Sequence, residues 1–202
     1  MNEPLDEGSV GRDPILLFQR WFAEAQNEKI IFPEAMTLAT VDAEGHPAAR
    51  MVLLKSVDDR GFVFFTNYRS AKGREMESHP HVALVVHWDV LQRQVRIRGP
   101  VTRIAQEESD AYFATRPRAS QLSAHASPQS EFVRDRKELD AAYRRIEEQF
   151  QGKPVPRPPH WGGLLVAPVS IEFWKGRIGR LHDRILFERS PEADWTIRRL
   201  AP

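Results

Sequence analysis

The chain has 202 residues, with 29 Lys and Arg against 28 Asp and Glu and a formal net charge of +1. That balance lacks the domain-wide basic excess expected of a nucleic-acid binder, so any anion site must be local. The absence of cysteine excludes disulfides, thiolate nucleophiles and cysteine-bearing metal sites.

Residues 1–12, MNEPLDEGSVGR, are small, charged and aperiodic. They read as a disordered arm ahead of one domain spanning 13–202. The polar, acidic start lacks the basic and apolar regions of a secretory leader, and no apolar run reaches the ~20 residues of a membrane span. A cytoplasmic location with no membrane partner is expected.

Asp13-Pro14 signals a helix start, and Leu17, Phe18, Trp21, Phe22 and Ala25 follow at helical spacing. After Pro33 the period changes to two, and residues 35–67 read as three strands with turns at 44–45 and 58–61. A short helix over 70–79 and strands over 81–89 and 93–105 come next. Helices over 106–116 and 132–150 follow, the second with Leu139, Tyr143, Ile146 and Phe150 at core-facing spacing. A proline-rich connector then leads to strands predicted at 164–174, 180–189 and 195–200. Consecutive strands with short connections favour a mainly β, antiparallel barrel with peripheral helices over βαβ units.

Neither a P-loop nor a dinucleotide fingerprint is present. The histidines (His46, His79, His81, His87, His125, His160, His182) never form H-E-x-x-H. Proline separates the one close pair, His79 and His81, so no metal site is expected.

What remains is a set of basic residues on or beside strands. Arg50 and Lys55 bracket RMVLLK. Their odd separation puts them on opposite faces unless the strand bulges or ends near Lys55. Lys72 lies near a helix start, where free N–H groups favour an anion. Tyr112, Arg116 and Ser120 recur every four residues, although Pro117 breaks that helix. Each cluster alone reads as a solvated charged face.

The segment RLHDR is different. On a strand, Arg180, His182 and Arg184 would share one face, with Leu181 and Asp183 on the other. Three such groups side by side repel unless an anion sits among them. A phosphate or carboxylate ligand is therefore expected.

The ordered series RMVLLK, FFTNYRSAKG, RQVRIRG, YFATRPRASQ, SPQS, PPHWGG, IEFWKG, RLHDR and RLAP resembles the pyridoxamine (pyridoxine) 5′-phosphate oxidase family over residues 14–202. The resemblance implies an FMN-binding split β-barrel, antiparallel and Greek-key-like, that forms a homodimer with FMN at the subunit interface. It implies oxidation of pyridoxine or pyridoxamine 5′-phosphate to pyridoxal 5′-phosphate, with O2 as acceptor and H2O2 as product. FMN contacts are implied at Arg50, Met51, Val52, Leu53, Leu54, Lys55, Phe65, Thr66, Lys72 and Gln94. From the partner subunit they are implied at Gln129, Ser130, Trp174 and Arg184. Substrate contacts are implied at Lys55, Tyr112, Arg116, Ser120, Arg180, Leu181 and His182, with Arg180 and His182 the catalytic pair. The chain departs from the family pattern at Ala71, where arginine is common, and at His125, where tryptophan is common. Two other readings stand beside this one: a flavin oxidase acting on another aromatic, as in phenazine pathways, and a non-enzymatic binder of FMN, pyridoxal phosphate or nucleic acid.

Overall fold

The computed structural model describes residues 4–190 and 193–202. Helix α1 (Pro14–Gln26) starts where the sequence marks it, with Asp13 Oδ1 accepting from the N–H of Ile15 at 2.8 Å. Its stripe is buried against the barrel, Phe18 meeting Phe62 edge-on at 4.8 Å and Trp21 meeting Phe173 at 5.2 Å.

Strands β1 (Ala35–Val41) and β2 (Pro47–Leu53) form a hairpin. The three strands predicted over 35–67 are four, because β2 stops at Leu53 and the chain resumes as β3 (Ser56–Asp58) and β4 (Gly61–Asn67). At the break the Leu54 N–H donates to Glu34 O at 2.9 Å and the Lys55 N–H to Val63 O at 2.8 Å. The backbone thus leaves one ladder and joins another, and Lys55 is freed from strict alternation.

The remaining elements are α2 (Ala71–Ser78), β5 (His81–Trp88), β6 (Arg93–Arg103), α3 (Gln106–Thr115), α4 (Arg118–Ala126), α5 (Arg136–Gln149), β7 (Trp161–Val166), β8 (Ser170–Lys175), β9 (Asp183–Glu188) and β10 (Thr196–Arg199). All strand pairs are antiparallel, in the order β10-β9-β8-β6-β5-β1-β2, with β3-β4-β7 joined through β6. Strand β6 serves both parts: residues 93–98 pair with β8 and 101–103 with β7. Gly99 marks the corner, where a Cβ would stand 1.9 Å from Ala167 O. The strand predicted over 164–174 divides at the same corner, with Pro168 between β7 and β8. The result is a split antiparallel barrel around Met36, Leu38, Phe64, Leu84, Ile97, Phe173 and Phe187, all fully buried.

Three further expectations change. The strand predicted over 180–189 begins at Asp183, because the β8–β9 ladder closes at the pair Lys175–Asp183. Residues 176–182 form the hairpin loop, where Gly179 and Arg180 have φ of 77° and 63°, outside the strand region. Arg180, His182 and Arg184 therefore do not share a strand face. Residues 4–12, read as disordered, lie against the barrel with Leu5 and Val10 buried. There the Leu5 N–H donates to Asp183 Oδ2 at 3.1 Å and Arg199 Nη2 donates to Leu5 O at 2.8 Å. Two apolar side chains and backbone hydrogen bonds seat a segment whose composition is otherwise polar; residues 1–3 lie outside the described residues. Finally, α4 was not expected: Pro117 ends α3 and starts a new helix, its carbonyl accepting from the N–H of Ser120 at 2.8 Å. No described helix is long and apolar enough to cross a membrane.

Outside the barrel, α3, α4 and α5 enclose a second apolar cluster of Phe113, Leu122, Val155 and Trp161. Helix α5 packs on it with Tyr143, Ile146 and Phe150 only partly buried, and Leu139 is likewise half-buried.

Candidate active site

A cleft of about 450 Å³ opens between the end of β2, β4 and the α3–α4 corner. It brings together Met51, Val52, Leu53, Lys55, Phe65, Thr66, Lys72, Tyr112, Arg116 and Gln129 from the predicted set. Leu54 is buried in the main core instead. Ser120, implied by the resemblance, does not line the cleft; Pro117 separates α3 from α4 and breaks its helical spacing from Tyr112 and Arg116. Ser130, with φ of 73°, follows Gln129 in the loop after α4.

An aromatic stack forms one wall. Phe65 and Tyr112 lie 3.9 Å apart at 19°, and Trp161 continues the stack 5.3 Å from Phe65. Two glycines let β7 approach: a Cβ on Gly162 would meet Tyr68 Oη at 2.1 Å, and one on Gly163 would meet Ile104 Cδ1 at 2.3 Å. Arg116 lies over Trp161, 4.5 Å from the ring centre, and its buried Nη1 has no hydrogen-bond partner. Burial pushes the Arg116 pKa down and the Tyr112 pKa up.

Lys72 occupies the other end, in the first turn of α2, whose N-cap Ser70 Oγ accepts from the Gly73 N–H at 3.3 Å. Its Nζ donates to Gln129 Oε1 at 3.3 Å and to Ser70 Oγ at 3.4 Å. Burial, and then the nearby Arg50 charge, hold the Lys72 pKa below its ordinary value. Arg50 itself does not line the cleft. It turns to the other face of β2, where it bonds Thr40 Oγ1 and pairs with Glu75 Oε2 at 2.8 Å.

The other predicted residues form a separate cluster on the opposite part of the sheet. Gln94, Trp174 and Arg184 stand in register across β6, β8 and β9, and none lines the cleft of the same protomer. Arg184 Nε pairs with Glu172 Oε1 at 2.8 Å, and Arg96 holds the other Glu172 oxygen at 3.1 Å. The His182 ring lies 4.7 Å from Trp174, and its Nδ1 accepts the Arg177 N–H at 3.1 Å. Arg180 and Leu181 are exposed on the adjoining loop. Gln129, expected from the partner subunit, lies in the cleft of its own chain, held by Lys72 and by Thr66 Oγ1 at 3.5 Å.

Asn67, Ser123, Ala124, Ser127 and Trp161 also line the cleft and were not anticipated. Trp161 had a sequence signal, the PPHWGG segment; the α4 residues had none once that helix was missed.

The split antiparallel barrel thus carries a cleft that joins stacked aromatics to partly desolvated cations. Residues 22–160 match the family model described as pyridoxamine 5′-phosphate oxidase, and residues 161–202 match the pyridoxine 5′-phosphate oxidase C-terminal dimerisation region. The chain is 54% identical over 202 residues to the pyridoxine/pyridoxamine 5′-phosphate oxidase of Azorhizobium caulinodans, covering 98% of this chain and 95% of that one. It is 52% identical over 198 residues to that of Cupriavidus necator, covering 98% and 93%. Among solved structures it is similar to PhzG from Burkholderia lata 383 in complex with tetrahydrophenazine-1-carboxylic acid. That match has a TM-score of 0.91 and 31% identity, and covers 99% of this chain and 98% of the other. The chain belongs to the pyridoxamine 5′-phosphate oxidase family.

Proposed function

We propose that the protein is an FMN-dependent oxidase that converts pyridoxine or pyridoxamine 5′-phosphate to pyridoxal 5′-phosphate. The observation that carries this reading is the pair of desolvated cations, Arg116 and Lys72, at the two ends of one aromatic-lined cleft. A buried guanidinium nitrogen without a partner and a lysine disfavoured in its charged form both gain from an anion. Two phosphates, one from a flavin mononucleotide and one from a vitamin ester, match the two positions.

The residues fit such a flavin. Lys72 and the N-terminal turn of α2 would hold its phosphate, while Arg50, named from the resemblance, is paired with Glu75 outside the cleft. Met51, Val52, Leu53, Phe65, Thr66, Gln129 and Ser130 would flank its body. When bound, FMN supplies the hydride acceptor, and O2 removes the electrons as H2O2. Lys55, Tyr112 and Arg116, with Ser120 close by in sequence, would grip the substrate phosphate, Arg116 as a planar fork. His182 accepts the Arg177 N–H through Nδ1, so a neutral ring carries its proton on Nε2 and presents a donor there.

The working unit in this reading is a homodimer. Gln94, Trp174, Arg184 and the 176–182 loop of one subunit would complete the cleft of the other. Support comes from the match of residues 161–202 to a dimerisation region and from Ile178 and Leu181, 103% and 75% exposed on that loop. Isolated exposed apolar side chains are ordinary, but a pair flanking residues assigned to the site supports an interface there.

The likeness to PhzG favours a second reading, an oxidase of a phenazine precursor. The desolvated Arg116 beside Lys55 argues for a phosphorylated substrate. The test is oxygen uptake by flavin-reconstituted protein with pyridoxine 5′-phosphate, pyridoxamine 5′-phosphate and unphosphorylated pyridoxine. The phosphate esters should be strongly preferred; equal rates with and without the phosphate would favour the second reading.

A further inference from the structure

Trp161 has no part in the chemistry proposed above, yet the phosphate-facing end of the cleft is built on it. It opens β7 directly after the proline-rich connector and is 7% exposed. Its ring runs parallel to Tyr112 at 5° and 6.3 Å, and Phe113 packs against it at 67° and 5.2 Å. Arg116 lies over its face at 4.5 Å. No carboxylate is in salt-bridge range of Arg116 among the described residues, and its buried Nη1 lacks a partner.

A half-buried guanidinium with one nitrogen shut off from water and no counter-ion gains from a partner that holds it in place. The negative face of an indole is the strongest aromatic partner for it and fixes the plane of the fork. Tyr112 belongs to the same wall, its ring stacked on Phe65 at 3.9 Å, and Phe65 in turn lies 5.3 Å from Trp161.

We propose that Trp161 is a positioning residue that aims Arg116 at the substrate phosphate and so sets the preference for phosphorylated over unphosphorylated substrate. The inference rests on the oxidase reading above and adds a residue and a discrimination step to it.

The test compares flavin-reconstituted wild type, Trp161→Leu and Trp161→Phe, each with and without Arg116→Ala, on pyridoxine 5′-phosphate and on pyridoxine. In Trp161→Leu, kcat/KM for the phosphate ester should fall about tenfold, mainly through KM, while that for pyridoxine changes less than about twofold. Trp161→Phe should retain part of the preference. In the Arg116→Ala background, changing Trp161 should add less than about twofold, because the two act as a unit. Equal losses on both substrates, or a full effect in the absence of Arg116, would overturn the proposal and leave Trp161 a packing role. If Trp161→Leu loses its fold by circular dichroism, Trp161→Phe decides by the same ratio, an unchanged preference being the contrary result. If wild type oxidises neither substrate, the oxidase reading fails by itself. Calorimetric affinities for pyridoxal 5′-phosphate against pyridoxal then decide the Trp161 proposal by the same criterion.

Discussion

The backbone N–H of Arg177 donates to Nδ1 of His182 at 3.1 Å, so the loop that carries His182 also fixes which ring nitrogen faces outward. Trp174 supports the ring from one side at 4.7 Å. In His182→Asn the amide oxygen can accept the same N–H, while the outward Nε2 is lost. Steady-state assay should show kcat lower by about 10²-fold, the range of a lost proton-handling group, with flavin content retained.

Arg180 and Arg184 sit in unlike surroundings. Arg184 neutralises Glu172, whose side chain is 8% exposed, whereas Arg180 stands exposed on a loop. Arg184→Ala leaves a buried carboxylate with Arg96 alone and should cost about 1–3 kcal/mol and weaken flavin retention. Arg180→Ala should change stability by less than about 0.5 kcal/mol while depressing turnover. Thermal melts paired with flavin content separate the two; equal destabilisation would refute the division.

Lys72 supplies a pH test. Its pKa is lowered by burial and by Arg50, so the folded chain binds that proton more weakly than the unfolded chain does. Between the lowered and the ordinary lysine pKa the unfolded state holds more protons, and stability of flavin-free protein should rise with pH across that alkaline window. Lys72→Met should abolish this rise and weaken FMN binding about tenfold or more, through loss of a charged hydrogen-bond donor. Urea titrations of flavin-free protein at several pH values, with flavin fluorescence titrations, check both.

The N-terminal arm is tied to the strand that follows the His182 loop. Asp183 accepts from the Leu5 N–H at 3.1 Å and from Arg199 Nη1 at 3.0 Å, and Arg177 Nε lies 3.5 Å away. Asp183→Ala should release residues 4–12 and cost about 1–3 kcal/mol. Hydrogen exchange at the Leu5 amide should accelerate ahead of the core strands, and unchanged protection there would contradict the tie.

Much of this architecture was legible in local signals. The Asp13 cap, the helical stripe from Leu17 to Ala25 and the alternation in β1, β5 and β6 each follow from one element's own pattern. What alternation could not reveal was where a strand changes partners. Leu54 and Lys55 keep an apolar run going while the backbone leaves one ladder for another. Pro168 likewise divides a continuous apolar stretch between β7 and β8. The RLHDR row failed for a related reason: its period-two spacing is real, but Gly179 and Arg180 at positive φ belong to a hairpin loop. The segment's side chains nonetheless gather beside Trp174, with the His182 ring 4.7 Å from it and Arg184 its register partner. Tyr112 on α3 and Arg116 at its C-cap stood out by their four-residue spacing, whereas Phe65 and Thr66 on β4 came only from the family resemblance. The Trp161 platform depends on a contact between elements distant in sequence, which no spacing rule reports.

The central claim is that a flavin and a phosphorylated vitamin meet in the cleft between Lys72 and Arg116. The most direct measurement is O2-dependent formation of pyridoxal 5′-phosphate from pyridoxine 5′-phosphate by FMN-reconstituted protein, with H2O2 assayed in parallel. The account predicts equimolar aldehyde and peroxide and a strong dependence on the substrate phosphate. Flavin-loaded protein that leaves pyridoxine and pyridoxamine 5′-phosphates untouched while oxidising a non-phosphorylated aromatic would contradict it.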